Sequence, residues 1–184
     1  MAQLLAACVV SRLHDDAGSV GTTAIDKVSV DGPVKVGKLG LFADVQADRK
    51  HHGGDEKSVY AYAAEDADWW AEQLEREIPA GLFGENLRVV GLDVSNARVG
   101  EQWRIGAGDG AVVLEVTMPR TPCMTFARWM GEENNGWVRR FSDARRLGAY
   151  LRVVTTGTVQ AGDPIEVLSV PEGAPTILDI YRGV

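Results

Sequence analysis

The spacing of short apolar segments between glycine-rich turns most constrains how this chain can fold. Extended and often β-branched segments are predicted at residues 4–11, 24–30, 34–36, 86–90, 99–105, 112–117, 150–155 and 165–170. The turn-rich stretch 106–110 predicts a hairpin with a longer loop between the two strands that flank it. Many short strands at this spacing favour a barrel or a sandwich, so we expect a mainly β fold.

Two helical regions interrupt the predicted strands. Apolar residues recur at helical spacing from Ala63 to Ile78, and Pro79 ends the pattern. The acidic residues between them are interpreted as the solvated face of this helix and not as a metal site; they are Glu65, Asp66, Asp68, Glu72 and Glu75. A second region extends from 124 towards 147 and is predicted to break near Gly131 and at 134–136. No repeat or linker divides the chain, so one domain over residues 1–184 is expected.

Composition excludes two classes of partner. The 26 acidic and 19 basic residues give a net charge of −7, and no segment concentrates lysine and arginine, which argues against nucleic-acid binding. No apolar run reaches the roughly 20 residues that a membrane span needs. The N-terminal segment lacks the basic lead and the cleavage site of a secretory signal. We therefore expect a cytoplasmic protein that binds neither nucleic acid nor membrane.

The two cysteines have different surroundings. They are too far apart in sequence, without a CxxC spacing, to predict a disulfide framework or a zinc site. Cys8 lies in an apolar strand and is predicted to be a core thiol. Cys123 ends the hexapeptide Met118-Pro119-Arg120-Thr121-Pro122-Cys123, in which two prolines favour an extended backbone and the arginine favours a thiolate. Cys123 is thus a candidate nucleophile or soft-metal ligand, with a buried core thiol as the alternative.

The segment His51-His52-Gly53-Gly54 is the second candidate motif. Neighbouring residues of a strand point to opposite faces, so at most one of these histidines should face a site. The glycine pair allows a close approach of the backbone to a ligand, or it simply forms a turn. His14, beside two aspartates, is predicted to be a loop residue.

Several motifs in order resemble the MOSC domain family, named for the C-terminal domain of molybdenum cofactor sulfurase, and within it the small stand-alone bacterial branch called YiiM-type. The resemblance covers about residues 20 to 170. It rests on segments 23–27, 30–33, 40–41 and 48, on His52-Gly53-Gly54 with 57–60, on 81–87 and 99–100, on Pro119-Arg120-Thr121-Pro122-Cys123, and on 148–153 and 159–163.

The resemblance implies a single compact β-barrel with a few peripheral α-helices. It also implies a molybdenum cofactor, with the metal carried by molybdopterin, and Cys123 as the metal ligand or as a persulfide carrier; pyridoxal phosphate is not expected. Relatives reduce N-hydroxylated compounds such as hydroxylaminopurine-type bases, so a small-molecule substrate and a separate electron-donor reductase are implied. The family match selects His52, whose imidazole titrates near neutral pH, as the proton donor.

The terminal phosphate of the pterin needs cationic or backbone N–H donors. Arg120, Lys57 and Lys27 lie in matching segments and are the predicted phosphate ligands, with Gly53 and Gly54 supplying backbone approach. Asn86 is a candidate for hydrogen bonding the pterin edge, although an asparagine at a strand start also stabilises turns. Relatives usually carry a basic residue and a leucine after the cysteine, where this chain has Thr125 and Phe126, so a cation is missing there.

Three functional classes stay open at this point. The first is a molybdenum oxidoreductase that reduces N-hydroxylated compounds. The second is a sulfur carrier or a cofactor-binding module without turnover, and the third is a binding protein in which Cys123 is an ordinary residue. A homodimer is possible in each case.

Overall fold

The computed structural model describes residues 1–19, 21–45, 53–131 and 136–182. These ranges contain thirteen strands and four α-helices. The strands are β1 (Gln3–Val10), β2 (His14–Asp15), β3 (Thr22–Thr23), β4 (Lys27–Ser29), β5 (Val34–Gly37), β6 (Gly40–Leu41), β7 (Val59–Ala63), β8 (Leu87–Val90), β9 (Gln102–Ile105), β10 (Val112–Pro119), β11 (Ala149–Thr155), β12 (Gly157–Val159) and β13 (Ile165–Ser169). The helices are α1 (Ala64–Leu74), α2 (Met124–Trp129), α3 (Gly136–Ala144) and α4 (Ile177–Ile180).

The strands form three sheets. The largest has eight strands in the order β13-β9-β10-β11-β7-β8-β1-β4, and its β7–β8 pair is parallel while its other pairs are antiparallel. A second sheet has the order β12-β5-β6, and a third pairs β2 with β3. Each of the eight predicted segments contains a strand, and the predicted β9–β10 hairpin is confirmed. The mainly β prediction is therefore confirmed.

The predicted barrel closure is not confirmed, because no sheet in the described ranges closes on itself. One edge of β1 pairs with β8. The opposite edge is shared between β4 and the loop that precedes β13. Leu4 N–H donates to the Asp163 carbonyl at 2.9 Å, and Ile165 N–H donates to the Ala2 carbonyl at 2.9 Å. Pro164 lies between these contacts and has no N–H to extend a ladder, so the contact remains an isolated bridge with Gln3.

Two apolar clusters fill the interior. One is formed by residues of both the large sheet and the second sheet, and it includes the buried β-branched and leucine residues of β1, β7, β8, β10 and β11. The other is rich in aromatic rings and packs α1, α2 and α3 against the sheet, with Trp70, Phe126 and Phe141 fully buried. Within the described ranges, no helix combines the length and the apolar character that crossing a lipid bilayer requires.

Three local predictions need correction. Helix α1 ends at Leu74, because Glu75 adopts a left-handed conformation with φ of 51° and turns the chain away before Ile78. Asp66 does not belong to the solvated face: it is buried, and it accepts hydrogen bonds from Arg146 and Ser95. His14 lies in strand β2 and not in a loop, and its Nε2 contacts the Asp26 carboxylate at 2.7 Å.

Candidate functional site

A cleft of about 410 Å³ lies between the β2–β3 hairpin and the start of α2. This volume is in the range of small-molecule binding sites. Its wall is contributed mainly by segments 16–25, 57–60, 83–86 and 120–128, so widely separated parts of the chain meet there. Cys123, Arg120, Lys57, Lys27 and Asn86, all predicted site residues, line this cleft together.

The turn between β10 and α2 presents the predicted cysteine. Strand β10 ends at Pro119, and Cys123 is the residue that precedes the first turn of α2. Its own backbone is extended, with φ of −137° and ψ of 172°. The Cys123 carbonyl accepts a hydrogen bond from Ala127 N–H at 3.0 Å. Cys123 is half-buried at the cleft wall, while Cys8 is fully buried in β1 as predicted.

Arg120 is a buried cation whose charge is not balanced by an ion pair in the described ranges. Only 6% of its surface is exposed. Within the described residues, its Nη1 atom has no hydrogen-bond partner. Aromatic rings surround the guanidinium instead, and the nearest is Phe126, whose centroid lies 3.7 Å from Cζ. A buried guanidinium with an unsatisfied N–H costs free energy unless a ligand completes it.

Tyrosine rings and Lys57 form the wall beside Arg120. Lys57 Nζ lies 5.9 Å from the centroid of the Tyr150 ring. The Tyr60 ring packs 5.3 Å from Tyr150, and its hydroxyl donates to the Leu147 carbonyl at 2.8 Å. Burial raises the pKa of the Tyr150 phenol, although the Arg120 guanidinium lowers it in part. Tyr150 is therefore a neutral hydrogen-bonding group at neutral pH.

Asp44, which the sequence analysis missed, organises two predicted site residues. Its carboxylate accepts hydrogen bonds from Lys27 Nζ at 2.5 Å, from Asn86 Nδ2 at 2.7 Å and from Val10 N–H at 3.0 Å. Asn86 Nδ2 also donates to the Cys8 carbonyl at 3.3 Å, and its Oδ1 accepts from Tyr60 N–H at 3.1 Å. Both amide hydrogens of Asn86 are therefore engaged by protein groups, and the Lys27 charge is paired.

Asp16 ties the β2–β3 hairpin to α2 across the cleft. Arg128 donates through Nε and Nη2 to its two carboxylate oxygens at 2.9 and 2.8 Å, and Thr125 Oγ1 donates at 2.9 Å. These hydrogen bonds, led by those from Arg128, lower the pKa of Asp16. Relatives usually carry a basic residue where this chain has Thr125. Arg128 supplies a cation three residues later, about one helical turn along α2.

The cleft is cationic although the whole chain is acidic. Among the described lining residues, Lys27, Lys57, Arg120 and Arg128 face only two carboxylates, those of Asp16 and Asp44. The net charge of the chain is −7. An anionic ligand is favoured by this local excess of positive charge.

Comparison with known proteins identifies the family of the chain. The sequence profile of the MOSC domain matches residues 48–166, more than half of the chain. The chain belongs to the MOSC domain family. YflK from Bacillus subtilis is 36% identical over 147 residues, which cover 80% of this chain and 64% of YflK. The chain therefore spans less than two thirds of that relative's length.

Two further proteins are similar to this MOSC domain. A protein named "Reductase" from Gibberella moniliformis is 32% identical over 167 residues, which cover 88% of this chain and 28% of that protein. The crystal structure of YiiM from Geobacillus stearothermophilus superposes with a TM-score of 0.75 at 26% identity, covering 97% of this chain and 80% of that one. The YiiM-type resemblance inferred from the motifs is thereby confirmed.

The second predicted motif of this MOSC domain is only partly described. His51 and His52 lie outside the described residues, so the position of the predicted proton donor is not assigned. Gly53 and Gly54 do not line the cleft. Gly54 precedes a 3₁₀ turn, Asp55–Lys57, with φ of 96°, and a Cβ placed there would contact nothing within 4 Å. Its glycine is explained by backbone conformation and not by close packing.

Proposed function

We propose that this MOSC domain binds a molybdenum cofactor and acts as an oxidoreductase that reduces N-hydroxylated compounds, such as hydroxylaminopurine-type bases, with Cys123 as the metal ligand. The observation that carries the proposal is the buried Arg120 Nη1, which lacks a protein partner within the described ranges and lies three residues before a half-buried thiol. A buried guanidinium and a thiol thus lie in one short turn, which supports anion binding and metal ligation side by side.

The residues of the cleft fit such a cofactor. Thiolate is the soft donor that suits molybdenum, and within the described ranges no cluster of three or more His, Cys, Asp or Glu side chains offers a competing metal site. Arg120 would hold the terminal phosphate through its unsatisfied N–H, with Lys57 and the two remaining hydrogens of Lys27 in support. A pterin contact from Asn86 would use its carbonyl oxygen, because both amide hydrogens are engaged.

The proposed reaction requires electrons, protons and a bound, oriented substrate. Reduction of an N-hydroxyl group consumes two electrons and two protons, breaks the N–O bond, and yields an amine and water. The bound cofactor would supply the electron-transfer chemistry. The chain would orient the substrate in the cleft, and the neutral Tyr150 phenol offers a hydrogen bond there. His52 as proton donor stays a prediction. Gly53 and Gly54 as backbone ligands also stay predictions, although neither is among the residues that line the cleft.

We propose a separate reductase as the electron donor. The name of the Gibberella moniliformis relative supports a reductive role. The matched region is only 28% of that protein, which leaves most of its length for other parts. A cytoplasmic location, a homodimer and a single-domain organisation stay predictions.

The alternative is a sulfur carrier or a cofactor-binding module without turnover. A half-buried cysteine at a cleft wall also suits a persulfide, because a terminal sulfur needs access to its acceptor.

One preparation separates these possibilities. The chain is purified from a molybdenum-replete host, and reduction of a hydroxylaminopurine-type base is measured with an added electron donor. Turnover that disappears in Cys123→Ser and persists in Cys8→Ser supports the oxidoreductase. Intact mass spectrometry that finds one added sulfur on Cys123, without turnover, favours the carrier. A preparation that shows no turnover, no added sulfur and no bound molybdenum would contradict both assignments.

A further inference from the structure

The Arg120 guanidinium lies over the face of one aromatic ring. Its Cζ is 3.7 Å from the centroid of Phe126. The centroids of Tyr60 and Phe141 are farther from Cζ, at 5.5 and 5.8 Å. The face of an aromatic ring carries partial negative charge and attracts a cation within about 6 Å. The contact with Phe126 is therefore the closest of the three by almost 2 Å.

Neighbouring rings fix the orientation of Phe126. Its side chain is fully buried, and the rings of Phe83, Trp137 and Phe141 meet it nearly at right angles, with interplanar angles of 80°, 78° and 89°. Such edge-to-face contacts hold an aromatic ring in a defined plane. The ring is thereby kept in the plane over which the guanidinium lies.

Local sequence places this ring beside the site. Phe126 lies in the first turn of α2, three residues after Cys123, and Met130 N–H donates to its carbonyl at 3.0 Å. The half-buried Cys123 thus lies immediately before the first turn of α2. The Phe126 ring beneath Arg120, here called the Phe126 platform, lies within that turn. The β10–α2 turn connects all three residues within seven positions of sequence.

A ring supports a buried cation in a way that a carboxylate does not. A carboxylate would neutralise the guanidinium and accept its N–H donors, whereas a ring face attracts the charge and leaves the in-plane N–H groups unoccupied. Arg120 fits this description at one nitrogen: no ion pair to it is present in the described ranges and its Nη1 has no partner there, while its guanidinium also hydrogen bonds the Tyr150 phenol. Arg120 lines the cleft, but Nη1 itself is shielded from solvent, so an anion in the cleft reaches this donor only with a small movement of the groups around it.

We propose that Phe126 is a positioning residue for an anion subsite, in which it holds the Arg120 guanidinium at the cleft wall for donation to a phosphate-type oxygen. The proposal rests on the assignment of Arg120 as the anion ligand in the proposed function. Without the ring face, the guanidinium would sample other orientations and would lose this freedom again on binding, which weakens affinity.

A fluorination series tests the ring face without removing the side chain. Phe126 is replaced by mono-, di- and trifluorophenylalanine in the full chain, and Phe141 receives the same series as the matched control. Both rings are fully buried in the same aromatic cluster. The probe is inorganic phosphate, whose affinity is measured by calorimetry and by the phosphate dependence of the unfolding temperature.

The series at Phe126 is expected to raise the Kd for phosphate step by step, to roughly ten-fold overall, because fluorine withdraws charge from the ring face. The series at Phe141 is expected to leave the Kd within about two-fold, since the weaker contact lies 5.8 Å away. Phe126→Leu, which removes the ring, should reproduce the largest loss. Equal responses at the two positions would assign Phe126 a purely structural role and overturn the proposal.

Arg120→Ala separates failure of this inference from failure of the proposed function. Phosphate affinity that is lost in Arg120→Ala but constant across the Phe126 series would overturn only the role of Phe126. Phosphate affinity that is unchanged in Arg120→Ala, or unmeasurable in the unsubstituted chain, would overturn the anion subsite itself and the role of Phe126 with it.

Discussion

At the scale of single residues, Arg120 is the side chain whose surroundings most require a ligand. It is 94% buried in a cluster of rings and keeps one N–H group without a partner in the described ranges. Lys27, by contrast, is paired with Asp44, and Arg128 is paired with Asp16. Of these three cations, Arg120 is the one without an ion pair in the described ranges.

Replacing Arg120 should release the cofactor. Arg120→Ala is expected to lower the retention of pterin by about 10- to 100-fold, because a charge-assisted hydrogen bond is lost. Arg120→Lys should restore only part of the retention, since the planar fork of donors is missing. Fluorescence of the oxidised pterin per chain measures the effect. Arg104→Ala, on the exposed face of β9, is the control. Full pterin occupancy in Arg120→Ala would show that the phosphate is bound elsewhere.

The two cysteines should differ in reactivity, and substitution of Cys8 should affect the stability of the fold. Burial raises the pKa of Cys8 to about 12, from an ordinary 9.0, so its thiol stays neutral and unreactive at neutral pH. Cys8→Ser places a hydroxyl in this apolar site and should lower the free energy of unfolding by about 1–3 kcal/mol while activity persists. Chemical denaturation measures the first effect. A neutral alkylating reagent should modify Cys123 before Cys8, and labelling of Cys8 in the folded chain would contradict this burial.

The raised pKa of Cys8 also gives stability a direction with pH. The unfolded chain loses this proton near pH 9, while the folded chain retains it until about pH 12. The contribution of the neutral thiol to stability is thus complete below pH 9 and is lost as the pH rises towards 12. Cys8→Ala should flatten this alkaline decline, because alanine has no proton to lose. An equal decline in both proteins would assign the alkaline loss to other groups.

At the scale of elements, Asp16 connects a small separate sheet to the helix that follows Cys123. Asp16→Asn should weaken the bidentate contact with Arg128 and increase amide hydrogen exchange across β2 and β3. Because the pKa of Asp16 is lowered, its contribution to stability is present above pH 3.8 and is lost as the pH falls through the lowered value. Asp15→Asn, at the exposed neighbouring position, is the control. Unchanged exchange in Asp16→Asn would show that other contacts hold the hairpin.

Hydrophobic periodicity in the sequence predicted most of the longer strands and helices. Elements whose sequences show no such periodicity were missed. The strands with a half-buried or apolar pattern, such as β1 and β10, lie where the sequence predicts them. Strand β7 was missed because all five of its residues are buried, so it shows no alternation and continues directly into α1. The burial of Asp66 was also missed, since its partner Arg146 is 80 residues away.

At the scale of the whole molecule, the site residues that were predicted either form a local sequence pattern or lie in segments that match the family. Arg120 and Cys123 were identified because prolines and an arginine around a cysteine form one local pattern. Asp16 meets Arg128 across 112 positions, and Asp44 meets Asn86 across 42. Such contacts are created by the sheet order and leave no local pattern, so these carboxylates were missed. The Phe126 platform was missed for the same reason, because its role depends on the fold of the β10–α2 turn.

The central claim is that Cys123 binds the molybdenum of a pterin cofactor held in this cleft. X-ray absorption at the molybdenum edge measures it most directly, because this method counts the sulfur atoms bound to the metal. The account predicts molybdenum and pterin in equal amounts in the wild type, one fewer sulfur ligand or no retained metal in Cys123→Ser, and an unchanged spectrum in Cys8→Ser. Identical sulfur coordination and metal content in the wild type and Cys123→Ser would contradict it.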